Sequence, residues 1–309
     1  MNKQPDEDLE LQHFLKTQQL PQHYLSLVTD WYAPLAEEIA SFREQARRPL
    51  LVGINGGQGS GKSTLGALLA NLLTRLHGLN TIAISIDDFY LGRISRRDFA
   101  ASVHPLLQTR GVPGTHDVPL MRAVIASLMR GDGEVALPQF DKASDDCVPA
   151  AAWDVVKAPV DLVVLDGWCL GVPAQDDDAL IQPVNQLESE EDPDAIWRRY
   201  VNRKIQSDYE PFYREIDILV MLQAPSFDCV FDWRLEQEKK LKAGISEQGG
   251  QSASNNRLMT ASQLQRFIQH YQRLMEHAIR VLPAQAHYLF ELDALRNVTT
   301  ASRPVPVRL

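Results

Sequence analysis

Eight consecutive residues, Gly56-Gly57-Gln58-Gly59-Ser60-Gly61-Lys62-Ser63, match the spacing G-x-x-x-x-G-K-[ST] that cradles the phosphates of a nucleotide. Glycines let successive backbone N–H groups curl around phosphate oxygens, and a helix opening directly after them adds the partial positive charge of its N-terminus. In that pattern Lys62 reaches the β- and γ-phosphates, the Ser63 hydroxyl serves Mg2+, and Thr64 continues the first turn beside the phosphates. A glycine-rich turn matching by chance would lack the context found here. An apolar run, Leu50 to Asn55, precedes the loop, and Leu65, Leu68, Leu69, Leu72, Leu73 and Leu76 follow it at helical spacing.

Other polar groups are placed to act on the same phosphates. Asp87-Asp88-Phe89-Tyr90 ends the apolar run Thr81 to Ile86. Phosphoryl transfer to an alcohol needs a group that positions the hydroxyl and takes its proton, and a strand-end carboxylate suits both tasks. Asp87 is expected to be that base, with Asp88 and Tyr90 beside the acceptor; the alternative use of one carboxylate is to cap a turn. Asp166 follows Val160 to Leu165 in the position of an acid that holds Mg2+, directly or through water. The loop Arg110-Gly111-Val112-Pro113-Gly114-Thr115-His116-Asp117 gathers three polar side chains. It suits a small polyhydroxylated acid, with Arg110 or Lys142 on the carboxylate and Asp117 accepting from hydroxyls. It suits equally a local loop bond at His116 and a helix cap at Asp117. Arg234 lies on a basic helix expected at Val230–Lys242, where a closing lid would carry a guanidinium to the transferred phosphate; Lys239, Lys240 and Lys242 are expected to be surface.

Positioning these groups requires strands alternating with helices. Apolar runs at 50–55, 81–86, 160–165, 216–222 and 287–292, separated by helical patterns, predict an α/β fold with a mostly parallel sheet flanked by helices. In such a sheet ligands bind at the C-terminal ends of the strands. Residues 1–48 predict an α-helical N-terminal lead-in interrupted near Pro21 and Pro34, packed on a domain covering 49–309 with a lid region at about 230–258. Helices are expected at Leu120–Met129 and from a capping box at Thr260-Ala261-Ser262-Gln263 onward, and Gly78 is expected to cap the helix after the loop. Lys142–Pro149 reads as an irregular surface excursion, Gln175–Pro193 as an exposed acidic loop, Ala243–Asn256 as mobile, and the residues after Leu292 as a polar tail.

Composition excludes several classes. The net charge of −9 over 309 residues argues against a general nucleic-acid or anionic-membrane binder. Three scattered cysteines, Cys147, Cys169 and Cys229, predict inert thiols rather than a disulfide framework or thiolate metal site. A polar, acidic N-terminus and the lack of a long apolar stretch predict a cytoplasmic protein without a membrane span. A nucleotide-dependent switch or non-catalytic ATP-binding regulatory protein is the alternative from another class, and the switch is disfavoured: Asp166 is followed at once by Gly167 rather than by D-x-x-G, and Asn202-Arg203-Lys204 does not fit N-K-x-D.

Taken together, Gly56–Ser63, Ser85–Leu91, Arg110-Gly111 with Gly114–Asp117, Pro138–Lys142, Asp166–Gly171 and Trp233–Glu236 resemble the D-glycerate 3-kinase family of plants, fungi and bacteria, a branch of the phosphoribulokinase, uridine kinase and pantothenate kinase group. The resemblance runs from about Leu50 to Asn297. It implies a P-loop NTPase fold, ATP with Mg2+, and transfer to the 3-hydroxyl of D-glycerate, a small hydroxy acid. It also implies that Asp87 is the base and Asp166 the Walker B carboxylate. The stretches Gln175–Pro193 and Ala243–Asn256 depart from the family pattern, and acceptors such as a nucleoside, pantothenate or another sugar acid stay open.

Overall fold

The computed structural model describes residues 4–236 and 261–308. Ten strands occur among them: β1 Leu50–Gly56, β2 Thr81–Ser85, β3 Gly133–Leu137, β4 Phe140–Asp141, β5 Asp146–Cys147, β6 Asp154–Ala158, β7 Leu162–Gly167, β8 Ile218–Gln223, β9 Tyr288–Leu292 and β10 Val298–Ser302. Six form one sheet in the order β10-β9-β8-β1-β7-β2. All neighbours are parallel except β9 and β10, which pair antiparallel. Every residue of β1 and β7 is buried, as expected of parallel strands covered on both faces, and their sequences are accordingly apolar runs rather than alternating patterns.

Helix Lys62–His77 buries Leu65, Leu68, Leu69, Leu72 and Leu73, and Gly78 ends it in the left-handed conformation at φ 67°. Each of these leucines contributes roughly 1.5–3 kcal/mol through burial. Helix Val118–Arg130, opened by an Asp117 cap, packs against β3, β6 and β7. The N-terminal segment forms helices at Gln4–Thr17 and Ala33–Ala46, and Val28, Tyr32, Leu35 and Ile39 join the main core. Pro34 causes no break there. It sits in the first turn of Ala33–Ala46, where its missing N–H costs nothing, directly after a π-helical turn at Val28–Tyr32.

The structure departs from the sequence expectations in three places. The 142–149 excursion is ordered: β4 and β5 form a hairpin there, and β3 pairs with β6 beneath it. The tail contains an edge strand, β10. The acidic stretch is largely exposed, as expected, but it is not a loop throughout: Leu187, Glu188 and Asp192 are buried, and helix Gln186–Glu191 packs against helix Ala261–Val281. Arg273 holds Glu188 at 2.6 Å and Arg198 holds Asp192 at 2.9 Å, so the carboxylates are paired rather than hydrated. The helix expected at Val230–Lys242 is seen as a helical stretch at 227–236. Its remainder, the Thr260 end of the capping box, the segment Ala243–Asn256 and residues 237–258 of the expected lid lie outside the described residues.

Candidate active site

Strand register brings the expected acidic ends together. Ile54 of β1 lies level with Asp166 of β7, which in turn lies level with Ser85 of β2. β1 ends at Gly56, two residues beyond this level, where the phosphate loop begins, and Asp166 and the Ser85–Asp88 turn lie at the ends of β7, its neighbour, and of β2, the next strand along. Such convergence at the C-terminal ends of parallel strands is where this architecture binds ligands.

The loop itself is shaped for close backbone approach. Gly59 has φ 78°, a left-handed conformation, and a Cβ there would stand 2.7 Å from Trp233, so only glycine fits between the loop and the 227–236 stretch. Ser60 Oγ is buried with no hydrogen-bond partner among the described residues, an orphaned donor that a phosphate oxygen would satisfy. Lys62 opens the following helix. Together these features fit a triphosphate held by Gly56 through Thr64.

At the helix start, Ser63 Oγ donates to Asp166 Oδ1 at 3.0 Å, and Ser85 Oγ donates to the same oxygen at 3.3 Å. Burial pushes the Asp166 carboxyl up against the opposing pull of Lys62. A hydroxyl and a carboxylate are the hard oxygen donors that Mg2+ takes when phosphates complete its shell, so Ser63 and Asp166 fit that ion.

Asp87 and Asp88 have different surroundings. Asp88 Oδ2 accepts from Ser85 N–H and Ser85 Oγ accepts from Asp87 N–H, a reciprocal cap that uses Asp88 to shape the turn. Burial pushes the Asp88 carboxyl up to about 6. Asp87 instead receives two donors: Tyr90 Oη to Oδ1 at 2.8 Å and Lys142 Nζ to Oδ2 at 2.6 Å. Burial would raise its pKa, but the charges of Lys142 and Lys62, with these hydrogen bonds, outweigh it and hold the carboxyl at about 2. Tyr90 is fixed in turn. Its ring stacks on His116 at 4.4 Å and meets Phe140 edge-on at 5.3 Å.

The Arg110–Asp117 loop closes this end of the site but uses its polar groups mostly on the protein. Asp117 accepts from Leu120 N–H at 2.9 Å, which is the capping alternative rather than the acceptor contact. Arg110 is paired to Asp145 and lies over the Phe140 ring at 5.6 Å, which commits it to the β4–β5 hairpin. His116 Nδ1 lies 2.7 Å from Tyr209 Oη, whose oxygen also accepts from Gly114 N–H. Assigning the Tyr209 proton to Nδ1 leaves the His116 proton on Nε2. Burial lowers its pKa to about 4, so the ring is neutral at pH 7, and its Nε2–H is buried without a partner among the described residues. Of the residues expected around the acceptor, Tyr90, His116 and Lys142 gather about Asp87, while Arg110 and Asp117 are engaged elsewhere. Arg234 lies next to Trp233, the residue packed on Gly59, and within electrostatic reach of Tyr271.

Three positioning residues went unmarked in the sequence. Arg96 is 1% exposed, and its guanidinium donates to Leu91 O, Gln108 O and Asp145 O, tying the turn after Asp87, the acceptor loop and the hairpin to one point. Tyr271 donates to Arg110 O at 3.1 Å and packs edge-on against Trp168, whose indole N–H donates to Gly111 O. Gly111 permits this approach: a Cβ there would lie 2.1 Å from the Tyr271 hydroxyl. Asn55 donates to Trp168 O and Leu170 O, joining β1 to the segment after β7. None of these has a local signature, because each joins backbone segments that the fold, not chain neighbourhood, brings together.

No family model matches the chain. It is 34% identical over 259 residues to the uncharacterized kinase mug58 of Schizosaccharomyces pombe, a match covering 81% of this chain and 83% of that protein. Over 215 residues it is 26% identical to the chloroplastic D-glycerate 3-kinase of Arabidopsis thaliana, covering 65% of this chain and only 44% of that longer protein. Among solved structures, a D-glycerate 3-kinase from Cryptococcus neoformans is similar with a TM-score of 0.68 at 25% identity, covering 87% of this chain and 99% of that one.

Proposed function

Because the chain belongs to the family of P-loop kinases that includes the D-glycerate 3-kinases, we propose that it transfers the γ-phosphate of ATP to the 3-hydroxyl of D-glycerate. The observation that carries this reading is the placing of Asp87 on a strand end beside the phosphate loop, within electrostatic reach of both Lys62 and Lys142. Lys62 and the amides of Gly56–Thr64 would hold the β- and γ-phosphates. Ser63 and Asp166 would hold Mg2+, which would supply neutralisation of the charge on the transferred group. Asp87 takes the proton of the acceptor hydroxyl. The hydroxyl oxygen bonds to the γ-phosphorus as the bond from phosphorus to the bridging oxygen breaks, and ADP leaves with that electron pair. Tyr90 fixes the carboxylate, His116 offers a neutral N–H at the acceptor side, and Arg234 would reach the phosphate from the 227–236 stretch. The small-molecule partner is thus a hydroxy acid, and a cytoplasmic setting belongs to the same proposal. Among the described residues no helix is long and apolar enough to cross a membrane.

Coupled ADP release with a panel of acceptors tests the assignment. D-glycerate is expected to give turnover well above the rate with ATP alone, and the product should be 3-phosphoglycerate. Turnover with a nucleoside, pantothenate or another sugar acid, and none with D-glycerate, would replace the substrate and keep the chemistry.

A further inference from the structure

Both oxygens of Asp87 are engaged, yet its two partners differ in freedom. Tyr90 is 5% exposed and clamped between His116 and Phe140, so its hydroxyl stays on Oδ1. The Lys142 side chain is 60% exposed and reaches Oδ2 from the turn of the β4–β5 hairpin. That turn is held independently of Lys142: Asp141 accepts from Ala143 N–H and Ser144 N–H, and the buried Arg96 grips the Asp145 carbonyl and carboxylate. The flexible four-carbon stem can therefore exchange partners while the backbone stays in place. Arg110, the other cation at this end, is committed to Asp145 and Phe140.

An ammonium at 2.6 Å makes Asp87 a poor proton acceptor. Taking a hydroxyl proton is disfavoured while the ammonium stays on Oδ2, and moving Lys142 into water without a new anion forfeits a charge-assisted hydrogen bond. An acceptor that carries its own anion removes that penalty.

We propose that Lys142 is the residue that makes the site selective for hydroxy acids: it is shared between Asp87 and the acceptor's carboxylate, and only an acceptor bringing an anion frees Asp87 to take the hydroxyl proton. This rests on the kinase reading above and deepens it by tying the acceptor's charge to the proton-transfer step. The anion then acts on the rate of transfer as well as on binding. Neutral alcohols and water are held back although they fit the site, which also protects ATP from hydrolysis.

The test compares the full-length chain with Lys142→Met and Lys142→Gln, using three acceptors at saturating ATP and Mg2+: D-glycerate, glycerol as its neutral counterpart, and water, read as ADP release. Removing the ammonium should raise the rates with glycerol and water by about tenfold and lower kcat/KM for D-glycerate by at least as much, the scale of one charge-assisted hydrogen bond. Lys142→Arg should keep water and glycerol suppressed. Unchanged or reduced rates with water and glycerol in a variant that melts like the native chain would overturn the proposal. So would a fall with all three acceptors together, which marks a merely structural role. Failure of the D-glycerate assignment looks different: the native chain would not phosphorylate D-glycerate, while the comparison with water and glycerol would still report on Lys142.

Discussion

Ser63 Oγ donates a hydrogen bond to Asp166 Oδ1 across 3.0 Å, linking the first turn after the phosphate loop to the end of β7. The two donors expected to share Mg2+ thus come from different elements and are held in contact by the β1–β7 register. Asp166→Asn keeps the shape and an acceptor oxygen but removes the charge. Turnover is expected to fall by about a hundredfold and the Mg2+ concentration for half-maximal rate to rise by about tenfold or more. Magnesium titrations of ADP release measure both, and native magnesium dependence in the variant would remove Asp166 from the metal site.

Asp87→Asn replaces the proposed base with a group that cannot take a proton while retaining its size. The rate should drop by a factor of about a hundred or more with ATP affinity nearly unchanged, the signature of an interaction made only in the transition state. Steady-state kinetics paired with nucleotide binding separates the two quantities. Weakened ATP binding with an intact rate would assign Asp87 to nucleotide binding instead.

Glu188→Ala tests the buried pairing of the acidic stretch. It leaves the Arg273 guanidinium buried without its carboxylate, although Ala179 O and Gln182 O still accept from it. Breaking such a pair costs about 3–5 kcal/mol, which lowers the melting temperature by roughly 10 °C in a chain of this size. A melting temperature within a degree of the native value would show that the pair contributes nothing net.

His116 titrates low because its neutral form is the buried one. Its pKa is about 4 in the folded chain against an ordinary value of 6.5, so it contributes stability that is fully present above pH 6.5 and lost as pH falls towards 4. That contribution amounts to about 3 kcal/mol at roughly 1.4 kcal/mol per pKa unit. Buried His270 behaves in the same sense and Asp88, raised to about 6, in the opposite one, so the test must isolate the residue. The stability gap between the native chain and His116→Gln should narrow between pH 6.5 and 4. A gap that stays constant across thermal melts in this range would mean that His116 is not held neutral.

The parts of the protein legible in its sequence are those built by neighbours in the chain. Strand, glycine loop and helix are contiguous from Leu50 to His77, so backbone geometry, helical leucine spacing and the Gly78 cap could all be read locally. The central parallel strands β1, β7 and β8 announce themselves because burial on both faces demands apolar runs. β10 does not: as an edge strand with only Val298 buried, its Thr and Ser residues read as a tail. Charge patterns misled where pairing was distant. Glu188 and Asp192 look solvated in sequence, yet Arg273 and Arg198 from other helices make their burial tolerable.

The amino-acid sequence by itself determined the phosphate loop, the α/β order and the candidate carboxylates, because residue type and short spacing are enough to specify backbone shape and strand ends. Which carboxylate caps a turn and which is held by Tyr90 and Lys142 was decided only by tertiary structure. Asp87 and Asp88 are adjacent, but strand register and the β4–β5 hairpin bring Lys142 to one of them from 55 positions away. Hydrogen bonds and ion pairs act over a few ångströms of space regardless of chain separation, so the partners that set a group's chemistry are chosen by the fold.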